Sequence, residues 1–288
     1  MTGAVVGGSQ HEFVDLHTHS TASDGSRVPA DVARAAKGAG LLAFALTDHD
    51  TVAGLAEART TAAEIGIRLI AGIELSAVEG SLETHILGLH LSDLAKLEQQ
   101  LIALREMRLN RAVRIVERLN ELGVAVTMDA VLKESAGGAV GRPHVARAVV
   151  AGGWARDLRE AFDRYLGNGK SAFVAKDKLS MTDAISLIHD AGGIAVLAHP
   201  GGLGTRERIA SLVTAGLDGV EVLHPSHSWD DSQRLDALVT EFELVRSGGS
   251  DWHGANDGSR SLGMMRVPSQ WLVDQESRAA AQRSRRVA

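Results

Sequence analysis

The stretch Phe13–Ser26, FVDLHTHSTASDGS, decides how the rest of the chain is read. A short apolar run ends in His17 and His19, and Asp24 follows in a polar, glycine-containing loop. Residues at i and i+2 of an extended segment point to the same face, so the two imidazoles emerge together where a strand stops. Working outward, FVDLH, PADVARAAKGAG, LLAFALTDH, TVAGLAEARTTAAEIG and IRLIAGIELSA alternate strand-like and helix-like patterns, a β-α-β-α-β order. Gly40 and Gly66 close the two helices where a C-cap glycine is expected. The same rhythm returns late, in MTDAISLIHDAGG, IAVLAHPGG, RERIASLVTAG, LDGVEVLH, DDSQRLDALVTEF and ELVRSGGSDWHG. Repeated units of this length predict an α/β fold with a parallel sheet, closed into a barrel.

The middle of the chain breaks the pattern. Between residues 92 and 171 the only strand-like run is the short VAVTM, whereas LAKLEQQLIALREMRLNRAVRIVERLNELG and three shorter segments carry apolar residues at helical spacing. The organisation expected is therefore a barrel over 12–91 and 172–273, a mostly helical insertion over 92–171, and flexible termini at 1–11 and 274–288. The last segment, basic and Ala-rich, reads as a solvated, frayed end.

The net charge of −6 gives the whole protein no electrostatic footprint for long duplex nucleic acid or an anionic membrane. No apolar run approaches the ~20 residues that span a bilayer. The chain has no cysteine, which excludes disulfides, thiolate metal sites and a thiol nucleophile. Together with an N-terminus that lacks the features of a signal peptide, this composition suits the cytoplasm.

Histidines and acids gather at the expected strand ends: His17 and His19, then Asp24, His49, Glu74, His85, His199, Asp251 and His253. All are expected at or near carboxyl ends of strands, where such barrels keep their active sites. His11 and His189 read as structural, and His90 has the wrong parity to join His85. Nine such groups at one barrel mouth would repel one another and be poorly solvated unless metal ions supply the compensating charge. The ligands are imidazole and carboxylate without sulfur, which suits Mn, Fe or Zn, and their number suits two or three divalent metal ions. Asp15, Asp48 and Asp50 stand beside ligands as candidates to orient imidazoles.

The order HTH…SDG…TDHD…GIE…H…AHPG…SDWH resembles the PHP (polymerase and histidinol phosphatase) family of metal-dependent phosphoesterases. The resemblance implies a distorted (β/α)7 barrel. It implies one ion held by His17, His19, Glu74 and Asp251, a second by Glu74, His85 and His199, and a third by Asp24, His49 and His253. The insertion and the segment GRPHVARAVV resemble the branch that removes the 3′-phosphate of nucleoside 3′,5′-bisphosphates and degrades short RNA from its 5′ end. There Arg142 and His144 are expected to grip phosphate, consistent with a guanidinium fork at a helix N-terminus. Ser226 and His227, in HPSHSWDD, are candidates for binding substrate. His227 can also protonate the departing oxygen or, with Ser228, cap the next helix.

The expected reaction is attack of a metal-bridging hydroxide on the 3′-phosphate of a nucleoside 3′,5′-bisphosphate. Alternatives are a 5′-3′ exoribonuclease on short 5′-phosphorylated RNA and a histidinol-phosphate phosphatase, both within the family. Further off stand an amidohydrolase, for which no lysine is at a clear strand end (Lys176 and Lys178 fall in a loop-like stretch), and a non-catalytic metal-binding scaffold. The partners implied are small phosphate-ester or nucleotide substrates and short RNA.

Overall fold

A computed structural model describes residues 13–80, 82–137, 140–175, 179–255 and 260–287. The chain runs β1 (Phe13–Asp15), α1 (Pro29–Gly38), β2 (Ala43–Leu46), α2 (Leu55–Ile65), β3 (Arg68–Glu79) and β4 (Leu82–Leu89). Four helices follow: α3 (Leu94–Glu121), α4 (Met128–Ser135), α5 (Arg142–Ala151) and α6 (Leu158–Ala161), the last continued by a π-turn at Phe162–Leu166. Then come α7 (Met181–Asp190), β5 (Ile194–Leu197), α8 (Arg206–Thr214), β6 (Gly219–Leu223), α9 (Trp229–Glu241), β7 (Val245–Gly248), β8 (Val267–Pro268) and α10 (Ser269–Val287).

The strand order is β7-β6-β5-β4-β3-β2-β1-β8. Just beyond β1 and β7 the sheet closes: Leu16 N–H donates to Gly248 O, Asp251 N–H to His17 O and His19 N–H to Trp252 O. Seven strands thus form the wall, and two-residue β8 pairs antiparallel with β1. The barrel is mixed. β4 runs antiparallel to both β3 and β5, because β3 returns through a tight turn at Gly80 (φ 64°) instead of a crossover helix. The all-parallel expectation fails at this strand, and with it the placement of His85 at a carboxyl end. His85 sits in the amino half of β4, which the reversal brings to the same mouth.

Alternation sorts the side chains. Ala43 and Ala45, Leu87 and Leu89, and Ile194 and Val196 join one buried cluster, while their neighbours Phe44, Ile86 and Leu197 join another with the surrounding helices. The first cluster also contains Leu272 and Ala279 of α10, so that helix covers the barrel end opposite the mouth. This corrects the reading of the 274–288 segment as a frayed end over its described part. Leu272, Gln275 and Ala279 are buried at i, i+3 and i+7. Gln275 donates to Arg246 O (2.7 Å) and accepts from His90 Nε2 (3.2 Å), which also fixes His90 away from the mouth. The expected flexible segment 1–11, including His11, lies outside the described residues.

The helices between β4 and α7 carry their own apolar cluster, including Ile115, Leu119, Val145 and Val149. The strand-like VAVTM is an extended lead-in to α4, whose N-cap Thr127 accepts from Ala130 N–H. Among the described residues no helix is long and apolar enough to cross a membrane.

Candidate metal centre

All nine residues singled out as ligands meet at the barrel mouth. Glu74, inward-facing on β3, is the centre: its Oε2 lies 3.3 Å from Nε2 of both His17 and His19 and 3.2 Å from His49 Nδ1. Its Oε1 lies 2.9 Å from His85 Nδ1 and 3.0 Å from His199 Nε2. Asp251 Oδ1 is 3.4 Å from His17 Nε2 and 3.1 Å from His19 Nε2. On the other flank, Asp24 Oδ1 is 3.2 Å from His253 Nε2, and Oδ2 is 3.9 Å from His49 Nε2.

The donor atoms fit a cation better than they fit one another. His17 Nε2, both ring nitrogens of His19 and His49 Nδ1 are buried without a hydrogen-bond partner, although carboxylate oxygens lie close by. Two ligands of a tetrahedral ion with bonds of ~2.1 Å stand roughly 3.4 Å apart, which matches these separations. The set of imidazole and carboxylate suits divalent ions. Among the described residues donor atoms converge in four groups, His19–Asp24–His49–His253, His17–Glu221–His224, His17–His19–Asp251 and His49–Glu74–His85, which overlap the sets the resemblance implies without reproducing them.

Protons hold the same groups together when no cation does. Burial alone would strip the proton from His17, but Glu221, Asp251 and Glu74 outweigh it and hold its pKa well above the ordinary value. For His19 the same contest, against the nearby carboxylates of Asp251 and Glu74, ends at about 10. Burial likewise opposes ionisation of Glu74, Asp24 and Asp251, yet the surrounding imidazoles hold all three carboxylates well below their usual range. His49 goes the other way: burial, with the neighbouring His19 and His85, lowers its pKa well below the ordinary value despite Glu74 and Asp24. His199 and Asp251 adopt left-handed backbone (φ 28° and 50°), uncommon outside glycine and typical of side chains aimed by the surrounding fold.

Two further residues join the centre: Glu221, which no sequence motif singled out, and His224, which HPSHSWDD places just past a strand end without a role of its own. Glu221 Oε1 faces His17 Nδ1 at 3.1 Å while Oε2 accepts from His199 N–H at 2.7 Å, so one buried carboxylate orients an imidazole and a ligand loop. The signal was present: Glu221 is an acid in the apolar run GVEVL, as Glu74 is in IAGIEL. His224 Nε2 lies 3.4 Å from Asp251 Oδ2. The aspartates expected to orient imidazoles do other work. Asp15 accepts from the backbone of Ser250 and Gly263, Asp48 holds Ser20 and Ser23, and Asp50 accepts from Ser76 N–H and Arg108. Each is drawn to nearby backbone or hydroxyl donors that its strand-end position puts within reach.

Beside the centre a cavity opens toward the helical segment, with about 630 Å³ of space including that open to solvent. Its lining combines Asp24, His49 and His85 with Arg108, Arg111 and Arg142, and Ile115, Pro143 and Phe162 add apolar surface.

A PHP domain family model matches residues 15–191. A 5′-3′ exoribonuclease of Haemophilus influenzae is 40% identical over 83% of this chain and 89% of its own length. A 3′,5′-nucleoside bisphosphate phosphatase of Chromobacterium violaceum is 37% identical over 87% and 90%. A phosphoribosyl 1,2-cyclic phosphate 1,2-diphosphodiesterase of Eggerthella lenta is 34% identical over 83% and 94%. Among solved structures, one described as a metal-dependent phosphoesterase from Bifidobacterium adolescentis superposes with a TM-score of 0.85, at 31% identity, over 94% of this chain and 97% of that one. Another, from Chromobacterium violaceum, described as an amidohydrolase with bound sulfate and no metal, gives 0.79 at 34% identity over 92% and 96%.

The chain belongs to the PHP family. It is accordingly a metal-dependent phosphoester hydrolase, built on the PHP barrel.

Within this PHP site the remaining expected residues are placed as follows. Arg142 reaches the cavity, where its Nη2 donates to Glu83 Oε2 at 2.7 Å and its Nη1 to Asn168 Oδ1 at 2.9 Å. His144 does not. It is buried, its Nδ1 accepts from Gly141 N–H at 3.0 Å, and burial lowers its pKa to about 4. It braces the start of α5 against the Asp24 loop, a position that Arg147 reinforces by donating to Asp24 O at 2.5 Å. Ser226 Oγ lies 2.7 Å from His224 Nδ1 and supports that ring. His227 has both nitrogens engaged, Nδ1 donating to Val222 O (3.0 Å) and Nε2 accepting from Gly201 N–H (3.1 Å), which leaves no proton directed at a substrate. The cap of α9 is Ser228, paired reciprocally with Asp231. Of the lysines, Lys37, Lys96, Lys133 and Lys170 are exposed, and Lys176 and Lys178 lie outside the described residues.

Proposed function

We propose that this PHP enzyme removes the 3′-phosphate of nucleoside 3′,5′-bisphosphates, with His17, His19, Asp24, His49, Glu74, His85, His199, Asp251 and His253 holding two or three divalent ions (Mn, Fe or Zn). The observation that carries the reading is the cavity beside the centre, lined by Arg108, Arg111 and Arg142 together with Asp24, His49 and His85. A substrate suited to it carries one phosphate to be cleaved at the centre and a second anion beside it. The relative named for this activity aligns over nearly the whole chain.

Divalent ions bound at the centre supply an activated water and positive charge for the phosphoryl oxygens. The protein's part is to place the substrate. The arginines fix the 5′-phosphate with paired hydrogen bonds, Phe162 and Ile115 exclude water from one side, and Glu74 and Glu221 hold the imidazoles in their working orientation. The bond broken is between phosphorus and the 3′-oxygen, leaving a nucleoside 5′-monophosphate and inorganic phosphate. We assign the grip to the segment 92–171, read as an insertion in the barrel, and place the enzyme in the cytoplasm, where such nucleotides occur.

The exoribonuclease reading is supported by the relative that is 40% identical. It needs little new chemistry: the first linkage of a 5′-phosphorylated RNA is also a 3′-phosphoester of a 5′-phosphonucleoside. Histidinol phosphate, whose amine would face the arginines, fits the cavity less well. The test is phosphate or nucleotide release by Mn-loaded protein from adenosine 3′,5′-bisphosphate, AMP, a 5′-phosphorylated trinucleotide and histidinol phosphate. Preference for the bisphosphate with AMP as product is expected; cleavage of the trinucleotide alone moves the assignment to exoribonuclease, and no turnover of any overturns both.

A further inference from the structure

Two of the cavity's arginines, Arg111 and Arg142, share an acid that the reaction does not need. Glu83 lies two positions before His85 on β4 and shares its face, roughly 6.8 Å along the strand. That spacing is of the order separating the two phosphates of a nucleoside 3′,5′-bisphosphate. Its carboxylate divides between two guanidinium groups, Oε1 accepting from Arg111 Nη2 at 2.9 Å and Oε2 from Arg142 Nη2 at 2.7 Å. The three side chains are only 14%, 8% and 20% exposed, so this is no loose surface pair. Both arginines have other anchors: Arg111 Nε donates to Val174 O at 2.8 Å, Arg142 Nη1 to Asn168, and both pack near the Phe173 ring. They would hold their places if the carboxylate swung aside.

We propose that Glu83 is an exchange partner of the substrate's second phosphate: it fills the Arg111–Arg142 fork between turnovers, yields it to the 5′-phosphate of substrate, and reclaims it to expel the product. This deepens the bisphosphatase reading and rests on it. Substrate and product carry the same 5′-phosphate, so an unopposed fork would retain the product as firmly as the substrate. A phosphate monoester carries about −1.5 to −2 at pH 7 and has three acceptor oxygens, so it can displace a carboxylate of charge −1. The competing carboxylate makes that binding reversible on the timescale of turnover.

The test is Glu83→Gln, which keeps shape and removes charge, in the Mn-loaded enzyme. Expected are product inhibition by AMP tighter by about tenfold or more and a lower KM for adenosine 3′,5′-bisphosphate, with KM for adenosine 3′-monophosphate, which lacks the second phosphate, unchanged. Weaker AMP inhibition and a raised bisphosphate KM would make Glu83 a mere prop for the arginines and overturn the proposal. If the wild type turns over no nucleotide, the functional reading fails, and calorimetry with inorganic phosphate still decides the exchange: tighter binding to the variant supports it, equal or weaker binding refutes it. Should Glu83→Gln melt well below wild type, Glu83→Asp, too short to reach both guanidinium groups, is expected to show the same direction.

Discussion

Glu74→Gln is the sharpest test of how the centre is built. One carboxylate serves both halves of the cluster, Oε2 among His17, His19 and His49 and Oε1 between His85 and His199, with no contact longer than 3.3 Å. Glutamine preserves the shape and deletes the charge. A unit charge about 4 Å from a cation, at an effective dielectric near 20, contributes ~4 kcal/mol per charge, or roughly a thousandfold in affinity. Since both oxygens are used, two ions should weaken together. The assay is metal content by mass spectrometry after dialysis against defined Mn concentrations, alongside phosphatase rate and circular dichroism. Expected are loss of at least two equivalents of metal, a rate near background and an unchanged fold. A variant that keeps its metals with less than tenfold weakening would refute the shared-carboxylate arrangement.

Other consequences follow from the same geometry. In metal-free protein His19 has its pKa raised from 6.5 to about 10, so its stabilising contribution is full below about 6.5 and disappears as pH rises toward 10. The depressed Glu74, Asp24 and Asp251 contribute above the ordinary carboxylate range and lose that contribution in acid. Melting temperature of the metal-free form should therefore fall on both sides of a mildly acidic plateau, and metal loading should flatten the alkaline limb; a flat metal-free profile contradicts the assigned ion pairs. Glu221→Gln should weaken metal binding or activity by about 10–100-fold through misorientation of His17, with the fold intact, as read by metal titration. Asp251→Asn should lose bound metal and nearly all phosphatase activity while staying folded; full activity in this variant would contradict its place in the centre. Leu272→Ala should cost roughly 2–5 kcal/mol in urea unfolding yet leave kcat near wild type, because it opens a cavity at the far end of the barrel.

Much of the site was legible in the linear sequence because most of the candidate ligands lie in or just after strands, and strands in an α/β pattern converge. The gathering of nine His, Asp and Glu residues near expected strand ends points to metal, and Glu74 stands out as an acid inside an apolar run. Glu221 sent the same signal from β6 and was passed over. The errors cluster where partners come from afar. His144 and His227 lie in motifs that look chemical, but His144 Nδ1 and both nitrogens of His227 are taken by backbone groups of Gly141, Val222 and Gly201. The tail was misread because its composition is polar, and only the barrel's open end turns Leu272, Gln275 and Ala279 into a buried face.

The α/β alternation, the helical character of much of 92–171 and the candidate metal-ligand cluster were all readable from the linear chain. These depend on local periodicity and on side-chain chemistry, both of which a linear string carries. Only the tertiary structure decided the direction of β4, the closure of α10 over the barrel and the Glu83 carboxylate set between Arg111 and Arg142. Strand direction, end-capping and ion pairing depend on which distant segments share space, and no local pattern encodes that.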